Sequence, residues 1–186
     1  GAFHWASSDL FIDAKQMIAE WLVDHGSTWA LEPQFPWWIL TNYPENNDML
    51  TPLDGLLLVS YIVGTAALIG SAVSFCLAAA TWVSGKWEAR RFHHFAQVLI
   101  PIAGCGVFLG LSALTVTMLR LEGISLPFVP ALRAALIAGA GIWSVTLGWR
   151  VAALYAGTQL RRSAATAALG AATAIGCASW ALLFWP

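Results

Sequence analysis

Charged residues are missing from four long stretches of this chain, and this absence restricts the fold more than any other feature. The stretches without Asp, Glu, Lys or Arg lie between Asp54 and Lys86, between Arg91 and Arg120, between Arg133 and Arg150, and after Arg162. All but the third are longer than the roughly 20 apolar residues that cross a bilayer as a helix. A soluble helix of this length needs a polar face, which these stretches do not have. The pattern predicts an integral membrane protein.

The composition of the chain agrees with this prediction. Its 186 residues are 59% hydrophobic and 10% charged, whereas about 25% of the residues in a soluble domain are charged. We expect membrane lipid among the partners and no nucleic acid.

The apolar stretches predict an all-α integral membrane fold with four transmembrane helices. The predicted spans are Leu53–Val83, Phe92–Leu119, Pro130–Ala156 and Ser163–Trp185. Pro101 is expected to loosen the first turns of the second span. Small residues, including the GxxxG pair Gly106 and Gly110, favour close contact between the helices. Residues 53–186 are therefore predicted to form a four-helix bundle, preceded by a separate outer segment over residues 1–52.

The loop charges predict the orientation of the bundle. Basic residues cluster after the first span, at Lys86, Arg90 and Arg91, and after the third span, at Arg161 and Arg162, with Arg150 a few turns before. Loops rich in Lys and Arg remain in the cytoplasm. We therefore expect a bacterial inner-membrane protein with both termini on the periplasmic side.

The outer segment is predicted to begin with an amphipathic helix over Asp9–His25. Ser8 or Asp9 can cap its start, and Gly26 can end it. The helix is too short and too charged to span a bilayer, so we expect it to pack on a partner subunit.

The rest of the outer segment is rich in proline and aromatic residues, which predicts an irregular structure. Trp37 and Trp38 suit the bilayer–water interface, where aromatic rings with a polar group settle. An alternative interpretation is a lid over a lipid or quinone entry site. Thr51 is predicted to cap the first span, with Pro52 as its first helical residue.

The cysteines do not form a recognisable metal-binding pattern. Cys76, Cys105 and Cys177 lie in three different apolar stretches, and no two are spaced CxxC. We therefore predict no metal site and no iron–sulfur cluster built from this chain alone.

The motif RRFHHF, residues 90–95, has two interpretations. In the first it is an interfacial entry, with Arg90 and Arg91 at the lipid phosphates. In the second it belongs to a cytoplasmic-side quinone or cofactor site. His94 and Gln97 would then supply hydrogen bonds, since histidine exchanges protons near neutral pH. His93 is a further candidate, although adjacent residues point about 100° apart on a helix. One helix therefore cannot present both histidines to a single iron, and we expect no haem held within this chain alone.

Two stretches resemble a known family. PWWILTNYPENNDMLTPLDG and FHHFAQVLIPIAGCGVFLGLSALTVTMLR resemble the membrane region of bacterial NapH-type membrane-bound 4Fe-4S ferredoxins, over residues 33–160. The resemblance implies a role in passing electrons between quinol and periplasmic redox partners. The CxxCxxCxxxCP cluster motifs of that family are absent here, which implies that the cluster-bearing part lies elsewhere.

Together these features predict a membrane-anchoring subunit or domain of a respiratory, quinone-linked electron-transfer complex. It is expected to be non-catalytic itself, with other membrane subunits and a periplasmic redox protein as partners. The alternative is a small transporter or an assembly factor of a membrane complex. Transport through this chain alone is disfavoured, because Asp54, the acidic residue of the predicted spans, lies at the end of one.

Overall fold

The computed structural model of the protein describes residues 9–32 and 51–184, and contains no strand within them. Trp37 and Trp38, with the rest of the predicted irregular segment, lie outside the described residues. The six α-helices of the described part are α1 Asp9–Asp24, α2 Pro52–Val83, α3 Ala89–Gln97, α4 Ile100–Leu121, α5 Val129–Tyr155 and α6 Gln159–Phe184, with a short 3-10 turn at Trp29–Leu31.

Four of these helices are long and apolar enough to cross a membrane. They are Pro52–Val83, Ile100–Arg120, Val129–Tyr155 and Gln159–Phe184, with mean hydropathies between 1.4 and 2.1. The prediction of an all-α integral membrane protein with four spanning helices is confirmed in this respect. The first, third and fourth spans begin and end within a few residues of the predicted bounds.

The second span differs from its prediction, because the helix expected from Phe92 is broken. Helix α3 ends at Gln97, and α4 begins at Ile100. In between, the N–H groups of Val98 and Leu99 donate to the carbonyls three residues earlier, at 3.1 and 3.0 Å. Pro101 is the physical reason, because it has no N–H to donate to Gln97 and its ring clashes with that carbonyl. A loosened first turn was expected, but two separate helices were not.

The described residues divide into two compact units, one within residues 1–67 and the other within residues 68–186. The division falls inside α2, and the predicted domain boundary after residue 52 stays a prediction. The first unit contains α1, the 3-10 turn and the beginning of α2. Helix α1 ends as predicted, since Gly26 adopts a φ of 71° and the N–H of Ser27 donates to the carbonyl of Leu22 at 2.8 Å.

The start of α2 is capped by Thr51, as predicted. The Thr51 hydroxyl accepts a hydrogen bond from the N–H of Asp54 at 3.3 Å. In return, the Asp54 carboxylate accepts bonds from the N–H and the hydroxyl of Thr51, at 3.0 and 2.8 Å. Lys15 on α1 adds an ion pair to the same carboxylate, with Nζ 2.6 Å from Oδ1. This pair links α1 to the start of α2 within the first unit.

The core of the second unit lies where the end of α2, α3, α5 and α6 meet. Its buried residues are Leu77, Ala80, Phe95, Ala152, Ala165 and Leu169. Three of these six are alanines, which allow the helix backbones to approach closely. Phe95 is fully buried, so α3 is held in the bundle by a large side chain and does not lie free at its end.

Glycines provide further close contacts in the second unit. Gly148 on α5 lies against Leu169 on α6, and Gly141 lies against Cys177. On α4, Gly106 lies against the indole ring of Trp180, whose Nε1–H donates to the carbonyl of Ile102 at 3.2 Å. Helices α4, α5 and α6 thus pack against one another.

Candidate functional site

Helix α3 is positioned by its own amphipathic pattern. Phe92, Phe95 and Ala96 face the core of the second unit, while Arg90 and His93 are exposed. The apolar residues recur at helical spacing, so burying them turns the remaining polar residues outward. His94 lies at the border between these faces and is half-buried.

A cavity of about 260 Å³ lies between α3 and the end of α5. It is lined by His94, Gln97, Val98, Leu147, Val151 and Leu154. His94 and Gln97 of α3 and Val98, the residue that follows it, recur at helical spacing, as do the three residues from α5, so each helix contributes one face. The cavity therefore combines one imidazole and one carboxamide with four apolar side chains.

The imidazole of His94 contacts Tyr155, the last residue of α5, which is not among the residues that line the cavity. Nδ1 of His94 and the hydroxyl of Tyr155 form a hydrogen bond, and the Tyr155 ring stands edge-on to Phe95 with centroids 5.9 Å apart. Arg91 places its guanidinium carbon 5.0 Å from the centroid of the Tyr155 ring. Tyr155 does not line the cavity, so Nε2 is the ring nitrogen of His94 left for a ligand.

The two neighbouring histidines have different environments. His93 is exposed, and its Nδ1 lies 2.7 Å from the carbonyl oxygen of Ala89 in its own helix. It does not line the cavity beside His94. The structure therefore brings His94 and Gln97 together and leaves His93 outside, in agreement with the angle expected between adjacent helical residues.

The two neighbouring arginines also differ. Arg90 is exposed, whereas the side chain of Arg91 is only 13% exposed and lies 3.7 Å from the carboxylate of Glu88. Its Nε and Nη1 are buried without a hydrogen-bond partner in the described part of the chain. Gly85 leaves room for Nη1, since a Cβ there would lie only 2.5 Å from it. Arg91 is thus folded back onto the bundle, while Arg90 can extend to lipid phosphates.

A second cavity lies beside the last turns of α2. Phe75, Ala78, Ala79, Trp82 and Trp87 line its volume of about 460 Å³. This lining is almost wholly apolar, so the cavity suits a hydrocarbon chain and offers little to orient a polar group.

Metal-ligating side chains are scattered. Within residues 9–32 and 51–184, no three His, Cys, Asp or Glu residues lie close enough to hold a metal ion. The cysteines lie on three separate helices, α2, α4 and α6, and are free thiols.

Comparisons of this chain with family models, with curated proteins and with solved structures found no match. The resemblance to NapH-type membrane regions therefore stays a prediction.

Sequence reasoning did not identify Tyr155 and Arg91 as neighbours of His94. The sequence did contain one signal, a tyrosine at the end of the third predicted span that is predicted to lie at the same membrane face as RRFHHF. A pattern along the chain could not pair residues 61 positions apart.

Proposed function

We propose that this chain is a membrane-anchoring subunit or domain of a quinone-linked electron-transfer complex, and that the α3–α5 cavity holds the quinone headgroup. The observation that carries the proposal is the pairing of His94 with Gln97 in an otherwise apolar cavity. A quinone ring is flat and apolar, with carbonyl oxygens that accept hydrogen bonds. A few polar groups in an apolar lining are what such a ligand needs for orientation.

The size of the cavity supports a headgroup site. Its volume of about 260 Å³ is slightly below the 300–1,000 Å³ range of drug-sized ligand pockets. The ring would occupy the cavity, and an isoprenoid tail would extend past Leu154, which is 76% exposed, into lipid.

The same proposal specifies the orientation in the membrane and the partner proteins. Lys86 before α3 and the basic residues in the first turns of α3 and α6, Arg90, Arg91, Arg161 and Arg162, favour a cytoplasmic location for the cavity in a bacterial inner membrane. Residues 9–32 and the aromatic segment with Trp37 and Trp38 would then face the periplasm, where α1 would pack on another subunit and a periplasmic redox protein would dock. The electron carriers themselves would belong to those partners.

Binding of a quinone analogue to the purified chain in nanodiscs tests the proposal. We expect saturable binding of a short-chain quinone, measured by quenching of tryptophan fluorescence. His94→Ala removes a hydrogen bond to a buried ligand atom, which costs about 1–3 kcal/mol, or roughly 5-fold to 150-fold in affinity. Gln97→Ala should weaken binding in the same direction.

His93→Ala is the matched control, because His93 is the adjacent histidine and lies outside the cavity. Its affinity for the analogue should equal that of the unaltered chain. Binding that does not respond to either His94→Ala or Gln97→Ala would refute the quinone site. Co-purified chains without haem, flavin or iron–sulfur absorption would favour an assembly factor instead.

A further inference from the structure

The Tyr155 hydroxyl has a restricted choice of partner. It is hydrogen-bonded to Nδ1 of His94, and the structure gives it no other acceptor in the described part of the chain. An O–H group that is half-buried needs an acceptor, because an unsatisfied donor costs free energy. If Nδ1 carried a proton and donated to the phenol oxygen, the Tyr155 proton would have no acceptor in the described part of the chain. The arrangement is satisfied when Tyr155 donates and Nδ1 accepts.

This direction determines where the proton of His94 lies. A neutral imidazole has one protonated nitrogen, and the other accepts. With Nδ1 accepting from Tyr155, the proton must be on Nε2, the nitrogen left for the cavity. His94 therefore presents an N–H donor to a ligand.

His93 provides the opposite case in the same helix. Its Nδ1 lies 2.7 Å from the carbonyl oxygen of Ala89, and a carbonyl oxygen can only accept. The neutral ring of His93 therefore carries its proton on Nδ1. Two adjacent histidines are thus expected to hold opposite tautomers.

We propose that Tyr155 is a positioning residue that fixes His94 as the Nε2–H tautomer, so that His94 presents a hydrogen-bond donor to an acceptor oxygen of the ligand. For the identity of that ligand, the inference rests on the proposed quinone site. A quinone oxygen only accepts, so it fits the Nε2–H donor of His94. Arg91 and Phe95 hold the Tyr155 ring from two further directions.

The tautomers can be tested without any ligand, by nitrogen NMR of the chain labelled with ¹⁵N-histidine in nanodiscs. The measurement is made about two pH units above the ordinary histidine pKa of about 6.5, and His93→Gln and His94→Gln assign the signals. We expect His94 to show protonated Nε2 and His93 to show protonated Nδ1. Tyr155→Phe keeps the aromatic ring but removes the donor, so the His94 signals should shift toward a mixture of tautomers.

The His93 signals serve as the internal control, since they should not change in Tyr155→Phe if the helix remains folded. A wild-type His94 with protonated Nδ1 would overturn the inference. An unchanged His94 pattern in Tyr155→Phe would overturn it as well.

The binding measurement separates this inference from the proposed function. Tyr155→Phe should lower the affinity for the oxidised analogue severalfold. If His94→Ala weakens binding while Tyr155→Phe leaves the affinity for the oxidised analogue unchanged, the quinone site stands and the positioning role fails. If the tautomers are as expected but no analogue binds, the Tyr155–His94 pair stands and the ligand class is wrong.

Discussion

At Gly106 the backbone of α4 lies directly against the indole ring of Trp180 on α6. A Cβ at this position would overlap the ring, whereas at Gly104, two residues earlier, it would meet no heavy atom within 4 Å. The GxxxG pattern identified Gly106 and Gly110 as packing positions, but at Gly110 the nearest atom, of Phe184, is at an ordinary 3.9 Å. Only the three-dimensional contact shows which glycine matters.

Gly106→Ala is expected to destabilise the protein by about 1–3 kcal/mol, because overpacking forces side chains and backbone to shift. The indole of Trp180 would move and lose its hydrogen bond to Ile102. Gly104→Ala should leave stability unchanged or raise it by up to about 1 kcal/mol, since alanine favours the helix. Thermal unfolding in detergent measures both. Equal melting temperatures for the two variants would contradict this prediction.

The ion pair between Lys15 and Asp54 is another contact that one substitution would remove. The Asp54 side chain is 6% exposed and that of Lys15 is 39% exposed, so removing the lysine leaves a buried carboxylate without its cation. Lys15→Met should cost about 1–2 kcal/mol, less than the 3–5 kcal/mol of a fully buried pair, because Lys15 is partly solvated.

Adding Asp54→Asn to Lys15→Met should recover part of that loss. Asparagine keeps an acceptor for Thr51 while removing the charge, so the double variant should be more stable than Lys15→Met alone. Thermal unfolding of both single variants and the double variant measures the coupling between the two side chains as a double-mutant cycle. Strictly additive changes would show that the two side chains do not interact.

Helix α1 presents two kinds of apolar residue. Phe11 is buried, whereas Met17 and Trp21 are 67% and 58% exposed. The predicted apolar face thus divides into a part packed within the first unit and an edge that remains exposed. The exposed edge is the part that could contact a partner.

Replacing Met17 and Trp21 by Ser should release the chain from its complex while leaving it in the membrane, because aromatic anchors dominate such contacts. Co-purification from detergent extracts measures the release. Val23→Ser is the matched control, as Val23 is also exposed, at 54%, but lies on another side of the helix. Unchanged co-purification of the double variant would mean that this edge contacts lipid.

The elements themselves were largely predictable, with one instructive exception. Three spans follow from charge-free apolar runs, because each residue's desolvation in lipid depends on that residue alone. The break between α3 and α4 was only partly foreseen. Pro101 removes one hydrogen bond, but a proline can either kink a helix or end it. Here burial of Phe95 and Val98 holds α3 against the bundle as a separate helix.

At the scale of the whole molecule, we predict that residues 51 and 184 lie on the same side of the membrane, because an even number of helices can span it. With the three native cysteines replaced, Lys86→Cys and Thr158→Cys should react with an impermeant maleimide only from the cytoplasm. Both positions are exposed, unlike Ser84, which is buried. Glu122→Cys and Asn46→Cys should react only from the outside. Labelling of Asn46→Cys from the cytoplasm would reverse the proposed orientation.

By itself the sequence determined the class of the protein, the number of spans, the cap at Thr51 and the end of α1. These features depend on residues close together in the chain and on the transfer of apolar side chains into lipid.

The sequence predicted only part of the candidate site. The spacing of His94 and Gln97 placed both on one helix face, and the angle between neighbours separated His93 from them. Tertiary structure decided the rest, namely that Tyr155 supports His94, that Arg91 folds inward, and that Lys15 pairs with Asp54. Each of these contacts joins residues distant in sequence, whose meeting depends on how whole helices pack and not on any local preference.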